Sequence, residues 1–308
     1  MYEPGSINSL ITAQYYAPRG MKRLYTLAAT LSQRYLSPAD LLIGIIGCEG
    51  SGKSTLIRGL FPGLELTNDD DGINLRPTPL YGITEADFFC GHTFHIDIRY
   101  ESAFHQLYEI AEAVNKAISC GKRVVVEHFD LIYNHLGYNA QIIFAIGEDL
   151  RVYRPSIFGP SPLTIREEVE KNTKYRLMAH SAEDITCHIL MEDYGFNPPE
   201  LHSDVKHGFV IGFPTKPDID IQVLEDKVKA IIQKNVLIHP GTGSFIEVGD
   251  IRINCTGKRI HVKSSGQIEN FRLVKKYFYD PLTKEYLLVG LAGKEQVFGF
   301  NTLPPVEN

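Results

Sequence analysis

Short apolar runs alternate with segments of helical periodicity in the first half of the chain. Residues 41–46, 124–126 and 141–146 are continuous apolar runs, as expected of strands buried on both faces of a parallel sheet. Between them, residues 103–118 place their apolar side chains on one helical face, and Gly121 can end that helix. This alternation predicts an α/β domain with a parallel sheet, whose last strand lies at residues 151–154.

The second half has a different pattern. Residues 165–194 are largely helical in character, and residues 207–213 are strand-like. Asp218 can cap a helix that extends to about residue 235, and the chain after Pro240 is rich in turns and β-prone. This order predicts an α+β domain.

Breaks in the pattern suggest three regions. A cluster of prolines and glycine near residue 160 marks a boundary between the two domains. We therefore predict a helical preamble over residues 1–40, a nucleotide-binding domain over residues 41–160 and an α+β domain over residues 161–308.

Composition describes an ordinary globular protein. The 308 residues are 44% hydrophobic and 22% charged, which favours two domains with apolar cores. The net charge of −6 excludes a global nucleic-acid signature, but residues 251–276 form a local basic strip. That strip is either an RNA-binding surface or a solvated strand face.

The cysteines and the hydropathy of the chain indicate the cellular compartment of the protein. The five cysteines are odd in number and scattered, which is not the pattern of a disulfide framework. We find no signal-peptide pattern and no apolar run of membrane-spanning length. The expectation is a cytoplasmic protein without a membrane partner.

One motif carries specific chemistry. The stretch that begins at Gly47 fits G-x-x-x-x-G-K-[ST], and it lies between a predicted strand and a predicted helix. In such a loop, glycines let backbone N–H groups face phosphates, Lys53 reaches the β- and γ-phosphates, and the Ser54 hydroxyl ligates Mg²⁺. The alternative is an ordinary glycine-rich turn. The predicted nucleotide-binding residues are Gly47, Gly50, Ser51, Gly52, Lys53, Ser54 and Thr55.

Phosphoryl transfer also needs carboxylates, and two places offer them. Glu127 follows the strand at residues 124–126, so it would project at the carboxyl edge of the sheet; Asp130 is a second choice there. An acidic turn contains Asp69 and Asp70, which either serve Mg²⁺ or a proton acceptor or form a surface turn.

Arg151 and Arg154 lie at the two ends of the last predicted strand of this domain. They would meet phosphates or an adenine ring, or they are surface arginines.

These features resemble the P-loop kinases of small molecules, in particular the uridine kinase-like group. The matching features are the glycine-rich loop, the acidic turn and the Val-Val-Val-Glu strand end. The resemblance implies Asp69 or Asp70 as base or substrate ligand. The motif and the strand end predict ATP or GTP with Mg²⁺ as cofactors and Lys53 and Glu127 in catalysis. An arginine-rich lid segment was not found, which is a departure from this family.

Potential metal ligands occur in the second half. His180 and Asp184 are four residues apart, hence on one face of a helix, and Cys255 and His261 lie in the β-prone region. Two imidazoles, a carboxylate and a thiolate form a ligand set suited to Zn²⁺.

The surrounding sequence resembles the second additional domain of alanyl-tRNA synthetases and the related free-standing editing proteins. That family carries H-x-x-x-H on a helix and a later C-x-x-x-H-V; here Asp184 replaces the second histidine, and two extra residues separate Cys255 from His261. The resemblance covers about residues 175–274 and implies a metal site that receives the aminoacyl end of tRNA.

Three functions are consistent with the sequence. The first is an ATP-dependent phosphotransferase that acts on a nucleoside, a nucleotide or an RNA-related acceptor. The second is a metal-dependent hydrolase of misacylated tRNA under nucleotide control. The third is a nucleotide-dependent RNA-binding or sensor protein without catalysis.

Overall fold

The computed structural model describes residues 10–69, 72–73, 79–83, 92–196, 203–205, 207–255, 257 and 260–294. The chain divides into two compact units. Unit 1 comprises Met1–Tyr15 and Lys22–Lys171, and unit 2 comprises Tyr16–Met21 and Asn172–Asn308. The division falls later than the boundary predicted near residue 160, because Ile165 and Val169 pack in the core of unit 1.

Apart from two end residues, Tyr16 and Met21, which belong to unit 2, unit 1 contains eight of the described strands and five helices. In chain order these are β1 (Thr12–Tyr16), α1 (Met21–Tyr35), β2 (Leu42–Gly47), α2 (Lys53–Leu60), β3 (Asn68–Asp69), β4 (Gly72–Ile73), β5 (Thr93–Asp97), α3 (Ile98–Glu101), α4 (Leu107–Ser119), β6 (Arg123–Glu127), α5 (Phe129–Leu136), β7 (Ile142–Ile146) and β8 (Asp149–Tyr153). Helix α6 (Pro162–Tyr194) follows and contains the division between the units.

A six-stranded, mostly parallel sheet organises unit 1, in the order β1-β8-β7-β2-β6-β5. Strands β5, β6, β2 and β7 are parallel to one another, as predicted. The predicted preamble is not purely helical, because β1 joins this sheet. Strand β8 is antiparallel to β7, since only Gly147 and Glu148 separate the two strands and a connection that short allows only a hairpin.

The centre of the sheet is strand β2, which is buried along its whole length. It lies between β6 and β7, and the chain crosses over it on its way from β6 to β7. The carboxyl end of such a strand borders a crevice in which ligands of open α/β sheets bind. The neighbouring helix α5 packs closely here: a Cβ on Gly44 would lie 2.9 Å from the Phe129 ring.

Unit 2 is built on antiparallel strands and two helices. Its remaining elements are β9 (Ser203–Val205), β10 (Gly208–Phe213), α7 (Ile221–Gln233), β11 (Ile238–Pro240), β12 (Phe245–Val248), β13 (Ile251–Asn254), β14 (Arg272–Leu273), β15 (Phe278–Asp280) and β16 (Glu285–Leu291). One sheet has the order β14-β16-β10-β9, with β15 also paired to β16, and a second has the order β11-β12-β13.

The unit 2 core lies between these sheets and the helices. Apolar residues of α6 such as Ile185 and Leu190 pack with Phe209 of β10 and Leu224 of α7. The cap of α7 is Asp220, whose side chain accepts from the backbone of Gln222 and Val223; the predicted cap, Asp218, lies outside the helix. None of the helices in the described part of the chain combines the length and apolar composition that a membrane span requires.

Candidate functional site

The glycine-rich loop leaves the carboxyl end of β2 and enters α2 directly. Gly50 and Gly52 have φ angles of 71° and 97°, in the left-handed region that favours glycine. Gly47 has no room for a side chain, because a Cβ there would lie 2.7 Å from Ser51 Oγ and 2.8 Å from Ile146 Cγ2. Strand, loop and helix are therefore arranged as the motif predicts, and α2 begins at Lys53 with its N-terminus at this loop.

Lys53 is buried and bonded within the loop. Its ammonium group donates to the Cys48 carbonyl at 2.9 Å and lies 3.5 Å from Glu127 Oε1. Glu127 ends β6, beside β2. The structure thus brings together the lysine and the carboxylate that the sequence had placed 74 positions apart.

Glu127 lies beside His95, whose ring accepts a backbone hydrogen bond on its other side. The Thr67 backbone N–H donates to His95 Nδ1 at 3.1 Å, so the ring proton is on Nε2, which lies 3.4 Å from Glu127 Oε2. Burial alone would raise the pKa of Glu127, but the bond from His95 and the charge of Lys53 hold that pKa below its usual value. Glu127 is therefore an anion poised beside the loop.

Asp97 and His128 complete this cluster. Asp97 ends β5 in register with Glu127, and one ligand atom each from Asp97, Glu127 and His128 lie within 4.8 Å of one another. Burial, followed by the charge of Glu127, raises the pKa of Asp97. Burial and the charge of Lys53 lower the pKa of His128 to about 3. We call Asp97, Glu127 and His128 the strand-end cluster.

The sequence did not single out His95, Asp97 or His128. Asp97 ends β5 and His128 follows β6, so their positions at strand ends were the available signal, whereas His95 lies within β5. The histidines lack metal-ligand spacing along the chain, because the parallel sheet rather than a helix brings these residues together.

The acidic turn lies mostly outside the described residues. The Asp69 backbone belongs to β3, which pairs with β4, and Asp70 falls outside the description. Their assignment as base or substrate ligand stays a prediction. Asp130 is buried in α5, with Oδ2 3.9 Å from the Arg166 guanidinium, and burial raises its pKa.

Arg151 and Arg154 are bonded within unit 1. Arg151 donates to Glu168 at 2.6 Å, while Arg154 donates to Asp40 at 2.8 Å and to the Tyr35 carbonyl at 2.6 Å. These contacts favour the structural alternative for both arginines.

The four predicted metal ligands of unit 2 converge. His180 and Asp184 lie on α6, and Cys255 and His261 follow β13. Cys255 Sγ is 3.2 Å from Nε2 of both His180 and His261, and Asp184 Oδ2 is 3.5 Å from His261 Nε2 and 3.9 Å from His180 Nε2. We call these four residues the helix–loop cluster.

These separations match a small cation site. Zn–N, Zn–O and Zn–S bonds of about 2.0–2.3 Å in a tetrahedron place ligand atoms about 3.3–3.8 Å apart. The observed distances of 3.2–3.9 Å are close to that range. The residues present therefore fit Zn²⁺ despite the replacement of a histidine by Asp184.

Polar groups lie behind both imidazoles. Ser181 Oγ lies 3.2 Å from His261 Nδ1 and accepts the Val262 backbone N–H at 3.1 Å. Glu183 Oε2 lies 3.7 Å from His180 Nδ1 and pairs with Arg19 at 2.8 Å. Ser181 thus holds His261 from behind, as a partner of a histidine ligand does, whereas Glu183 lies beyond hydrogen-bond distance of His180 Nδ1.

Protonation in the helix–loop cluster follows its burial. Burial and the charge of Asp184 raise the pKa of Cys255, and burial and the charge of His180 lower the pKa of His261. The thiol keeps its proton and His261 stays neutral unless a cation compensates. A bound divalent ion would supply that charge and release the thiol proton.

Two residues of the basic strip contact other side chains of unit 2. Arg252 stacks 4.0 Å from the Phe245 ring centroid, and Lys275 pairs with Glu225 at 2.5 Å. Lys258 and Arg259 lie outside the described residues. Binding of tRNA or other RNA by this strip stays a prediction.

No family model and no curated protein matches the chain. Two crystal structures of ornithine aminotransferase from Toxoplasma gondii, one from strain ME49 and one crystallised with oxidised glutathione, are each 11% identical to it. The alignments cover 81% of this chain in both cases and 68% and 71% of the other chains, with TM-scores of 0.24 and 0.23. At these scores the likeness carries no argument about fold or function.

Proposed function

We propose that unit 1 binds a nucleoside triphosphate, ATP or GTP, with a divalent ion, and transfers its terminal phosphoryl group to a hydroxyl acceptor. The acceptor class is a nucleoside, a nucleotide or an RNA-related molecule. The observation that carries the proposal is the placement of the glycine-rich loop at the carboxyl end of the central strand, with Lys53 and Glu127 3.5 Å apart.

The loop is the proposed phosphate cradle. Gly50 and Gly52 orient the backbone so that amide groups face the phosphates, and the N-terminus of α2 adds favourable partial charge. Lys53 exchanges its bond with the Cys48 carbonyl for phosphate oxygens and stabilises charge that develops on the transferred group.

Ser54 and Glu127 are the proposed holders of the divalent ion. Such an ion neutralises phosphate charge during transfer. Departure of Lys53 toward the phosphates would free Glu127 for this role, and His95 would keep the carboxylate in place.

Asp69 or Asp70 is the proposed proton acceptor for the attacking hydroxyl, as the resemblance implies. Asp97 ends the strand next to the one that Glu127 ends, and it is a second carboxylate beside the proposed ion. Asp97 also caps α3 by accepting from Arg99 and Tyr100, which fixes its position.

Binding and turnover of nucleotide test the proposal. Lys53→Ala should weaken binding of a nonhydrolysable ATP or GTP analogue at least about tenfold and slow ATP consumption by about 10²–10³. The acceptor panel contains nucleosides, nucleotides and uncharged tRNA. Arg58→Ala, on the same helix, is the control and should leave both quantities nearly unchanged.

Two results would separate the parts of the proposal. Equal analogue binding by wild type and Lys53→Ala would overturn nucleotide binding at the loop. Tight binding without acceptor-dependent ATP consumption, across the whole panel, would favour the nucleotide-dependent RNA-binding or sensor function instead.

A second candidate function is metal-dependent hydrolysis of misacylated tRNA by unit 2. Convergence of the helix–loop cluster favours it. Four protein ligands complete a tetrahedral site, whereas catalytic zinc sites keep one position for water or substrate. Hydrolysis would therefore require one of the four ligands to leave the ion. We expect this ligand to be Asp184, because its 3.9 Å separation from His180 is the longest quoted for the cluster.

Deacylation of mischarged tRNA tests this second function. Hydrolysis that is lost on chelation and in His180→Ala would support it. A zinc-loaded protein that does not deacylate any mischarged tRNA would leave the cluster with a structural role.

A further inference from the structure

We propose that the strand-end cluster is a binding site for a divalent first-row transition ion, and that His128 is the ligand that makes it prefer such an ion to Mg²⁺. The inference rests on the proposed phosphotransferase function only where it concerns the purpose that the bound ion serves. Ion binding itself is a property of Asp97, Glu127 and His128 and can be measured without nucleotide.

The first step is the geometry. Asp97 and Glu127 end adjacent parallel strands in register, and His128 follows Glu127 directly. One ligand atom from each lies within 4.8 Å of the other two, and His128 Nε2 is 3.8 Å from Glu127 Oε1. All three residues are buried, with exposed fractions of 6%, 5% and 4%.

The second step is the state of His128. Its Nδ1 is buried and has no hydrogen-bond partner among the residues that the structure describes. Its backbone has φ 60° and ψ 45°, a left-handed conformation that a histidine adopts at a cost in free energy. The nitrogen that faces the cluster is Nε2, 3.8 Å from Glu127 Oε1, so a buried imidazole nitrogen lies beside two carboxylates in an arrangement that can bind a cation.

His95 and His128 have different roles in this site. Its Nδ1 accepts the Thr67 backbone N–H, and its Nε2 faces Glu127. His95 is therefore a positioning residue that holds a carboxylate, while His128 offers a ring nitrogen to the ion.

Ligand chemistry then sets the preference. Mg²⁺ demands oxygen ligands in near-ideal octahedral geometry and keeps much of its water, whereas imidazole suits divalent transition ions. One imidazole with two carboxylates, leaving positions open for phosphate oxygens, favours ions such as Mn²⁺, Fe²⁺ or Co²⁺.

Competition between Mn²⁺ and Mg²⁺ tests the inference. Binding of Mn²⁺ alone to the full chain is followed by electron paramagnetic resonance, with one equivalent of Zn²⁺ present to occupy the helix–loop cluster. Mg²⁺ is then added as competitor, with and without a nonhydrolysable nucleotide. Wild type should retain Mn²⁺ against at least about a tenfold excess of Mg²⁺.

The decisive variant is His128→Asn, because asparagine tolerates the left-handed backbone. It should lose at least about tenfold in Mn²⁺ affinity and change little in Mg²⁺ affinity. His135→Asn removes an exposed histidine of α5, the helix that begins directly after His128, and should match wild type. His128→Gly keeps the test usable if the asparagine variant does not fold, since glycine also fits this backbone.

The outcomes distinguish this inference from the proposed function. Equal Mn²⁺-over-Mg²⁺ preference in wild type and His128→Asn would overturn the role of His128, whatever the nucleotide result. Mn²⁺ binding that survives Glu127→Gln would place the ion elsewhere and also overturn the inference. Loss of Mn²⁺ in the His128 variant, with no nucleotide bound by wild type, would retain the site and overturn only the phosphotransferase proposal.

Discussion

The strand-end cluster of unit 1 and the helix–loop cluster of unit 2 contain similar residue types but are built differently. The first is assembled by adjacent parallel strands and contains a cation of the protein itself, Lys53, beside Glu127. The second joins one helix to a distant loop and presents two imidazoles, a carboxylate and a thiol to one centre. The comparison indicates that the charged groups beside a cluster affect cation binding more than the number of ligand side chains does.

In the helix–loop cluster, Arg19 pairs with Glu183, which lies behind His180 and is not one of the four proposed ligands. The strand-end cluster would bind its ion best once phosphates draw Lys53 away. The helix–loop cluster would hold its ion permanently.

The largest expected effect is on metal retention in unit 2. Cys255→Ala should reduce bound zinc, measured by inductively coupled plasma mass spectrometry, from about one equivalent to less than a tenth. It should also lower the free energy of unfolding by at least about 3 kcal/mol, because metal-binding energy contributes directly to folding.

Cys187→Ala is the control for this prediction, since Cys187 is buried on the same helix as His180 but lies outside the cluster. It should retain zinc while losing stability through the small cavity that it leaves. Equal zinc content in the Cys255 and Cys187 variants would contradict the site.

Removal of a buried charge behind the cluster should have the next largest effect. Arg19→Met would leave the Glu183 carboxylate buried without its 2.8 Å partner, at a cost of about 3–5 kcal/mol. Urea unfolding followed by circular dichroism measures this change. Lys229→Met, which removes the partly exposed partner of Glu225, should cost less than about 1 kcal/mol.

The strand-end cluster should make stability depend on pH. The pKa of His128 is lowered to about 3 in the folded chain, against about 6.5 when unfolded, so the unfolded state binds one more proton between these values. The contribution of His128 to the free energy of unfolding should fall as pH decreases below about 6.5, by up to about 1.4 kcal/mol per pH unit, while the raised pKa of Asp97 acts in the opposite direction.

Urea unfolding at pH 7 and pH 5, in a chelator, measures this slope above the range in which most carboxylates titrate. His128→Asn should reduce the slope, and His135→Asn should not. An unchanged slope in the His128 variant would mean that this imidazole is not kept neutral by the fold.

The smallest expected effect concerns the hydroxyl behind His261. Ser181→Ala would leave the Val262 N–H without its acceptor and His261 less firmly oriented. We expect a loss of about 1–2 kcal/mol and about a tenfold weaker zinc affinity in a chelator competition. Thr186→Val, which removes a hydroxyl bonded within the helix, should keep the affinity.

Local sequence patterns predicted the elements that depend on local chemistry. The continuous apolar runs gave β2, β6 and β7, and the spacing of four residues placed His180 and Asp184 on one face of α6. The glycine-rich motif likewise predicted a strand, a turn and a helix, because its glycines specify backbone angles.

Non-local features could not be predicted in the same way. Asp97 and His95 lie beside Glu127 only because β5 pairs with β6, and no pattern within either strand predicts that pairing. The antiparallel direction of β8 follows from the short connection at residues 147–148. No comparable local signal shows that β1 pairs with β8 in this sheet.

The bond between Lys53 and the Cys48 carbonyl has a calorimetric consequence. Entry of a triphosphate would exchange one partner of the ammonium group for another, so the heat released would report only the difference between the two bonds. A neutral side chain at this position has no such bond to break. The enthalpy difference between wild type and Lys53→Ala should accordingly be smaller than the difference in their affinities would suggest.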